Sequence, residues 1–309
     1  MKLSKSDFNL IKNWIYRNAR HLDLVRWQYH FEDGCKTDVI DALLAYQNSD
    51  GGFGHALEAD SWNPNSTPIQ TATAIYILKE INFADPQIPL IQGILKYLES
   101  KSNFAGDRWK NTVASNNNYP HAPWWNTNSD QPTRSKYNPT AILGGFLLQF
   151  SPKDSMIYKD ALEITSNLAG SFLEDPQIEM HPLLCVSEML SYIHEANLQS
   201  QFNYTKLCLT LHNRVRELIK QDANNWNGYS FRPSRYIQSK DNVLYEENKE
   251  ILNKELNYVI KSRNAEGVWD ITWSWGNYER EFAISENWWK ADLAIKNILL
   301  LYAFGMIEN

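Results

Sequence analysis

Apolar residues along this chain recur mostly at three- and four-residue intervals, the spacing that gathers side chains on one face of a helix. Val39, Ile40, Leu43 and Leu44 form one such run. With the breakers and capping residues between runs, the pattern predicts helices over Ser6–Ala19, Thr37–Tyr46, Thr67–Ile81, Pro86–Leu98, Pro139–Phe150, Lys153–Leu173, Pro182–Glu195, Tyr204–Gln221, Leu244–Lys261 and Trp288–Phe304. Four starts pair a side-chain acceptor with a proline that presets the first turn: Thr67-Pro68, Asp85-Pro86, Asn138-Pro139 and Ser151-Pro152. At the first of them, Gln70 completes a capping box. No segment alternates as a strand would, so the predicted class is all-α, with about 10–12 helices. Short connections favour antiparallel neighbours. Thr67–Ile81 and Pro139–Phe150 are apolar on most faces, as an inner layer requires, and Gly144-Gly145 permits close packing. Tyr204–Gln221 shows one polar face, as an outer helix should.

Long irregular segments interrupt the helices at Gly54–Ser66, Ser102–Lys136, Asp222–Asn242 and Asn264–Asn287. Segments of that length in a compact domain usually carry function. The first follows the sharpest break in the chain, Gln47-Asn48-Ser49-Asp50-Gly51-Gly52-Phe53-Gly54. Consecutive glycines adopt backbone angles closed to other residues and end the helix. Phe53 is placed to fold back over the turn and plug the helix end. The unit therefore reads as helix, plugged glycine turn, long loop, helix.

This unit resembles the repeat of the terpenoid cyclases and the protein prenyltransferase β subunits. Those repeats set a Gln, an acidic or polar residue, Gly-Gly, an aromatic and Gly between two helices of an α/α toroid. The resemblance is closest over Gln47–Ala74, including the small-residue helix Thr71-Ala72-Thr73-Ala74. Degenerate copies are Asn264-Ala265-Glu266-Gly267-Val268-Trp269-Asp270, Gly106-Asp107-Arg108-Trp109 and Asn224-Asn225-Trp226-Asn227-Gly228-Tyr229. The resemblance implies an α/α toroid, a ring of antiparallel hairpins with inner and outer helices, as a single domain over 1–309. It does not reach the family reactions. The Asp-x-Asp-Asp and Asp-Asp-x-x-Asp motifs are absent, and Asp38-Val39-Ile40-Asp41 has a different spacing. No cysteine follows Cys208, so the zinc ligands of the prenyltransferases do not carry over.

Composition narrows the classes. The 309 residues are 43% hydrophobic and 21% charged, enough for a sizeable core. A net charge of -6 and a pI near 5.7 exclude a basic nucleic-acid footprint. No stretch approaches the roughly 18 apolar residues of a membrane span, and Met1–Arg20 lacks a signal-peptide core. Three well-separated cysteines, Cys35, Cys185 and Cys208, fit a reducing cytoplasm. The 12 tryptophans stand out, because Trp62, Trp109, Trp124, Trp125, Trp226, Trp269, Trp273 and Trp275 fall in loop-like segments. Indoles gathered in loops either wall a cleft or plug helix ends.

Four constellations carry candidate chemistry. His55-Ala56-Leu57-Glu58-Ala59-Asp60-Ser61-Trp62-Asn63 sets Glu58 and Asp60 two apart after the glycine turn. In an extended loop they point the same way, suited to a general acid beside a base; alternatively, Asp60 and Asn63 bind loop amides. Tyr119-Pro120-His121-Ala122-Pro123-Trp124-Trp125-Asn126 is stiffened by two prolines and presents His121 either as acid–base or as part of an aromatic anchor. Trp273 and Trp275 alternate before Glu286-Asn287-Trp288-Trp289-Lys290, where Glu286 either caps the last helix or holds a cation or sugar beside the indoles. Arg26-Trp27-Gln28-Tyr29-His30-Phe31-Glu32 reads as a paired, partly buried structural segment. His181 with Cys185, and Asp33 with Cys35, fall short of the three ligands a zinc site needs, so neither metal nor cofactor is expected.

The expected function is a toroid with a tryptophan-rich pocket for a small organic, isoprenoid-like ligand. Glu58, Asp60, His121 and Glu286 supply acid–base groups; His55, Trp62, Trp124, Trp125, Trp273, Trp275 and Trp289 line the pocket. Glycoside hydrolases and polysaccharide lyases on α/α toroids give the alternative of a sugar ligand, and a non-catalytic binding scaffold is a third. The sequence does not set the oligomeric state.

Overall fold

The computed structural model describes residues 1–127, 136–223, 225–228 and 230–308. Among the described residues it is all-α, with eleven α-helices, no strand and only isolated backbone bridges. In order they are α1 (Lys5–Asn18), α2 (His21–Phe31), α3 (Lys36–Leu44), α4 (Pro68–Glu80), α5 (Pro89–Glu99), α6 (Thr140–Phe150), α7 (Met156–Glu174), α8 (Met180–Glu195), α9 (Tyr204–Asp222), α10 (Tyr245–Lys261) and α11 (Glu279–Ala303).

The helix starts show which signals hold. Ser4 and Thr67 cap α1 and α4, each accepting an N–H three residues on at 3.1 Å. Of the four proline starts, only Thr67-Pro68 opens a helix directly. Asp85 instead accepts the Gln87 N–H in a turn, and α5 begins at Pro89. Ser155, not Ser151, caps α7. No capping box forms at α4: the Gln70 amide accepts from Leu57 N and donates to the Asn63 carbonyl, both at 2.9 Å, so it secures the preceding loop.

Two elements depart from the predicted set. Helix α2 was hidden because its core residues Leu22, Val25 and Trp27 alternate with charged ones, although the segment from Arg26 reads as paired and partly buried, as the structure has it for Asp23 and its partner Arg26. Both are buried, at 0% and 2% exposure, and Arg26 bonds Asp23 at 2.8 Å and Asp292 of α11 at 2.9 Å. Removing one member of such a buried pair typically costs about 3–5 kcal/mol. Helix α11 begins at Glu279, well before Trp288, and its buried residues lie mostly beyond Ala291. Its first half therefore lacks the apolar stripe by which a helix is recognised.

The chain forms two compact units, Met1–Ala42 with Val215–Asn309, and Leu43–Arg214. In the Leu43–Arg214 unit, α6 packs against α4, α5, α7 and α8. Every residue of α6 from Thr140 to Leu148 is buried. Gly145 is required there, since a Cβ would stand 2.7 Å from the Tyr192 ring. In the other unit, α1 and α2 pack on α11. Among the described residues no helix is long and apolar enough to cross a membrane.

Candidate functional site

The glycine turn after α3 is a closed device. Asn48 N–H donates to the Gly52 carbonyl at 2.8 Å, Gly51 N–H to the Asn48 carbonyl at 2.9 Å, and Gly54 N–H to the Tyr46 carbonyl at 3.0 Å. Gly51 sits at φ +92°, and a Cβ there would lie 2.0 Å from the Gly93 carbonyl oxygen of α5. The Gln47 side chain donates to the Gly51 and Leu90 carbonyls at 3.0 and 2.9 Å, tying the turn to α5. Phe53 is fully buried, and its N–H donates to Thr71 Oγ1 of α4 at 3.1 Å.

Two of the three degenerate copies build a like device. After α10, Asn264 N–H donates to the Val268 carbonyl at 2.7 Å and Gly267 N–H to the Asn264 carbonyl at 3.0 Å, with Gly267 at φ +88° and Trp269 5% exposed as the plug. After α5 the turn is one residue tighter. Ala105 N–H donates to the Arg108 carbonyl at 2.8 Å, Phe104 pairs with Trp109, and Lys110 N–H reaches the Asn103 carbonyl at 2.9 Å. Trp109 N–H donates to Thr140 Oγ1 of α6 at 3.1 Å, as Phe53 does to Thr71. These two fully buried threonines were not singled out in the sequence. They lie 18 and 31 residues beyond their plugs, so no fixed spacing marks them in the sequence, although each falls in the first turn of its helix. The remaining copy has Asn224 and Tyr229 outside the described residues, as is 128–135 of the Ser102–Lys136 segment.

Beyond Gly54 the chain turns through His55 and Ala56, both left-handed at φ 58° and 60°. Such angles cost non-glycine residues roughly 1–2 kcal/mol each. His55 is exposed, with Nε2 2.9 Å from Asn48 Oδ1. Leu57 to Ser61 are all buried, including Glu58 at 8% and Asp60 at 3% exposure. They are not extended: Ser61 N–H donates to the Glu58 carbonyl at 3.0 Å, closing a tight turn, so the two-residue spacing does not by itself align the two carboxylates. Asn63 is wholly committed to structure. Its amide bonds Ser115, Asn116 and the Asn65 backbone, and its carbonyl takes His55 N–H and the Gln70 amide.

The same unit brings the His121 segment onto this loop. Ala122 N–H donates to the Asp60 carbonyl at 2.8 Å and Trp62 N–H to the Pro120 carbonyl at 2.9 Å, so Ser61 and His121 stand opposite one another. His121 is 7% exposed. Its Nδ1 lies 2.6 Å from the Tyr119 carbonyl oxygen, which can only accept, so Nδ1 carries a proton. Trp62, Trp124 and Trp125 are half-buried, and the Trp125 carbonyl accepts from Asn116 at 3.1 Å.

In the other unit, Trp273 and Trp289 meet edge to face with centroids 5.5 Å apart. Trp275 is 1% exposed and packs on Phe282, so it belongs to the core, not to a face shared with Trp273. Glu286 lies within α11, not at its start, and cannot cap it. Lys290 Nζ stands 3.0 Å from both Glu286 Oε1 and Asp270 Oδ1. The Asp270 carboxyl is held below its ordinary range by Asn264 first and Lys290 second. Burial would lower the Lys290 ammonium, but Glu286 and Asp270 together raise it. The indoles thus fall into two sets: Trp109, Trp269 and Trp275 are core, whereas Trp62, Trp124, Trp125, Trp273 and Trp289 keep accessible faces. Among the described residues no three His, Cys, Asp or Glu side chains gather to hold a metal ion.

No family model, curated protein or solved structure matches this chain.

Proposed function

We propose that this protein is an α/α toroid of the terpenoid cyclase and prenyltransferase β-subunit kind, one ring over 1–309, that holds a small isoprenoid-like ligand among its tryptophan-bearing loops. The observation that carries the reading is the recurrence of one device after α3, α5 and α10: a glycine turn, a buried aromatic plug, a loop and another helix. Recurrence of a helix–turn–helix unit is what builds rings and solenoids of hairpins.

In this reading Glu58, Asp60, His121 and Glu286 are the candidate acid–base groups, the first three carried by two loop segments that pair through their backbones. The half-buried indoles offer faces that stabilise positive charge developing on an apolar ligand. The three cysteines are free, in keeping with a cytoplasmic protein. A second reading, a sugar ligand, is favoured by one feature: the Trp273 ring of the preceding loop crosses Trp289 on the helix that carries Glu286.

Native purification followed by mass spectrometry of the retained small molecule tests both. A prenyl lipid supports the first reading and an oligosaccharide the second. Trp125→Ala is expected to abolish retention with helical content unchanged; retention by this variant, or no retained molecule in the natural protein, overturns the pocket assignment.

A further inference from the structure

The Leu43–Arg214 unit has a recess at the end of α4 away from the glycine turn, roughly 20 Å along a helix of this length. It lies where α4, α6 and α8 end, and its principal walls are Phe83, Phe146, Phe150, Tyr192, Lys79 and Glu195. Its volume is about 180 Å³.

Three features give the recess a sign. The C-terminal ends of three helices meet there, and each contributes partial negative charge. Two carboxylates face one ammonium: Lys79 Nζ is 2.6 Å from Glu188 Oε2 and 3.7 Å from Glu195 Oε1, which leaves one negative charge in excess. The walls are aromatic, with Phe146 and Phe150 stacked at 4.6 Å and Lys79 Nζ standing 4.6 Å from the centre of the Tyr192 ring. One corner of the recess therefore already holds a cation against an aromatic face and two carboxylates. The Tyr192 hydroxyl feels the same field, pushed up from its ordinary value by burial first and then by Glu188 and Glu195.

We propose that this recess binds a small alkylated ammonium ion, its head resting on the accessible faces of Phe83 and Phe150 and its charge matched by Glu195. Aromatic faces and one carboxylate suit a soft organic cation; a metal ion would find too few oxygen ligands. The site is independent of the toroid reading, because every residue in it belongs to one unit and one group of helix ends.

Choline chloride and its uncharged isostere 3,3-dimethylbutan-1-ol, titrated into the full chain at constant ionic strength by calorimetry and aromatic proton NMR, decide the matter. Choline is expected to bind saturably and at least tenfold more tightly than the isostere. Glu195→Gln is expected to weaken choline about tenfold with an unchanged melting temperature, since Glu195 is exposed over 38% of its side chain. Lys79→Met, which removes the built-in ammonium, is expected to tighten it about tenfold. Equal binding of choline and isostere, no effect of Glu195→Gln, or no saturable choline binding in both the natural chain and Lys79→Met would each overturn the proposal.

Discussion

The turns after α3 and α10 hold the same backbone for different neighbours. In both, an asparagine N–H reaches the carbonyl four residues on, and a glycine at φ near +90° closes the loop. Around Gly51 the neighbour is backbone, the Gly93 carbonyl of α5. Around Gly267 it is the side chain of Leu10, which is 45% exposed and free to change rotamer. Local hydrogen bonds and backbone angle thus shape the turn, while the packing partner sets how much change it tolerates. A turn wedged against main chain cannot shift without moving a helix; a turn under a surface leucine can.

That contrast can be broken by substitution, and the largest effect is expected at Gly51. Gly51→Ala forces a Cβ into the Gly93 carbonyl and a left-handed angle on alanine, and should destabilise by about 4 kcal/mol or more, enough to prevent folding. Urea denaturation followed by circular dichroism reads this directly, and a folded variant of near-natural midpoint would show that the α5 contact is not rigid. Next come the buried threonines. Thr71→Val and Thr140→Val each strip the acceptor from a plug's buried N–H and should cost about 1–3 kcal/mol apiece. A loss at only one of the two would show that the shared plug bond is decorative in the other repeat.

Gly267→Ala should cost about 1–2 kcal/mol, mainly the left-handed angle. Combined with Leu10→Ala, which clears the nearest side chain, the glycine change should cost no more than that backbone share. Equal losses at Gly51 and Gly267 would erase the distinction between main-chain and side-chain neighbours.

The smallest effect is electrostatic and sits just after the second turn. Asp270 has its folded carboxyl held low by Asn264 and Lys290. Its contribution is therefore present above the unfolded value near about 3.9 and is lost as pH falls through the folded one. Because its side chain is 59% exposed, the slope should amount to no more than about 1 kcal/mol and shrink in high salt. Asp270→Asn should flatten the acid limb by that amount. The raised Lys290 works at the other end: its contribution is complete below the unfolded ammonium value near about 10.4 and fades as pH rises through the folded one.

Much of this molecule is legible without coordinates. The helical class follows from apolar spacing, because burying one face of a helix leaves the same three- and four-residue rhythm wherever it occurs. The glycine turn and its aromatic plug were likewise visible, since few residues besides glycine take φ near +90° and so mark the site in the chain itself. Helix α2 and the first half of α11 were not: their signals depend on a buried Arg26 that finds Asp23 and Asp292, and on a helix with little apolar face to announce it. Nor was it readable that Gln70 spends its amide on loop backbone, or that Glu58 to Ser61 forms a turn. Those outcomes were decided by tertiary structure, because a polar side chain's partner is chosen by whatever desolvated group lies within about 3 Å of it, and residues far apart in the chain supply that group.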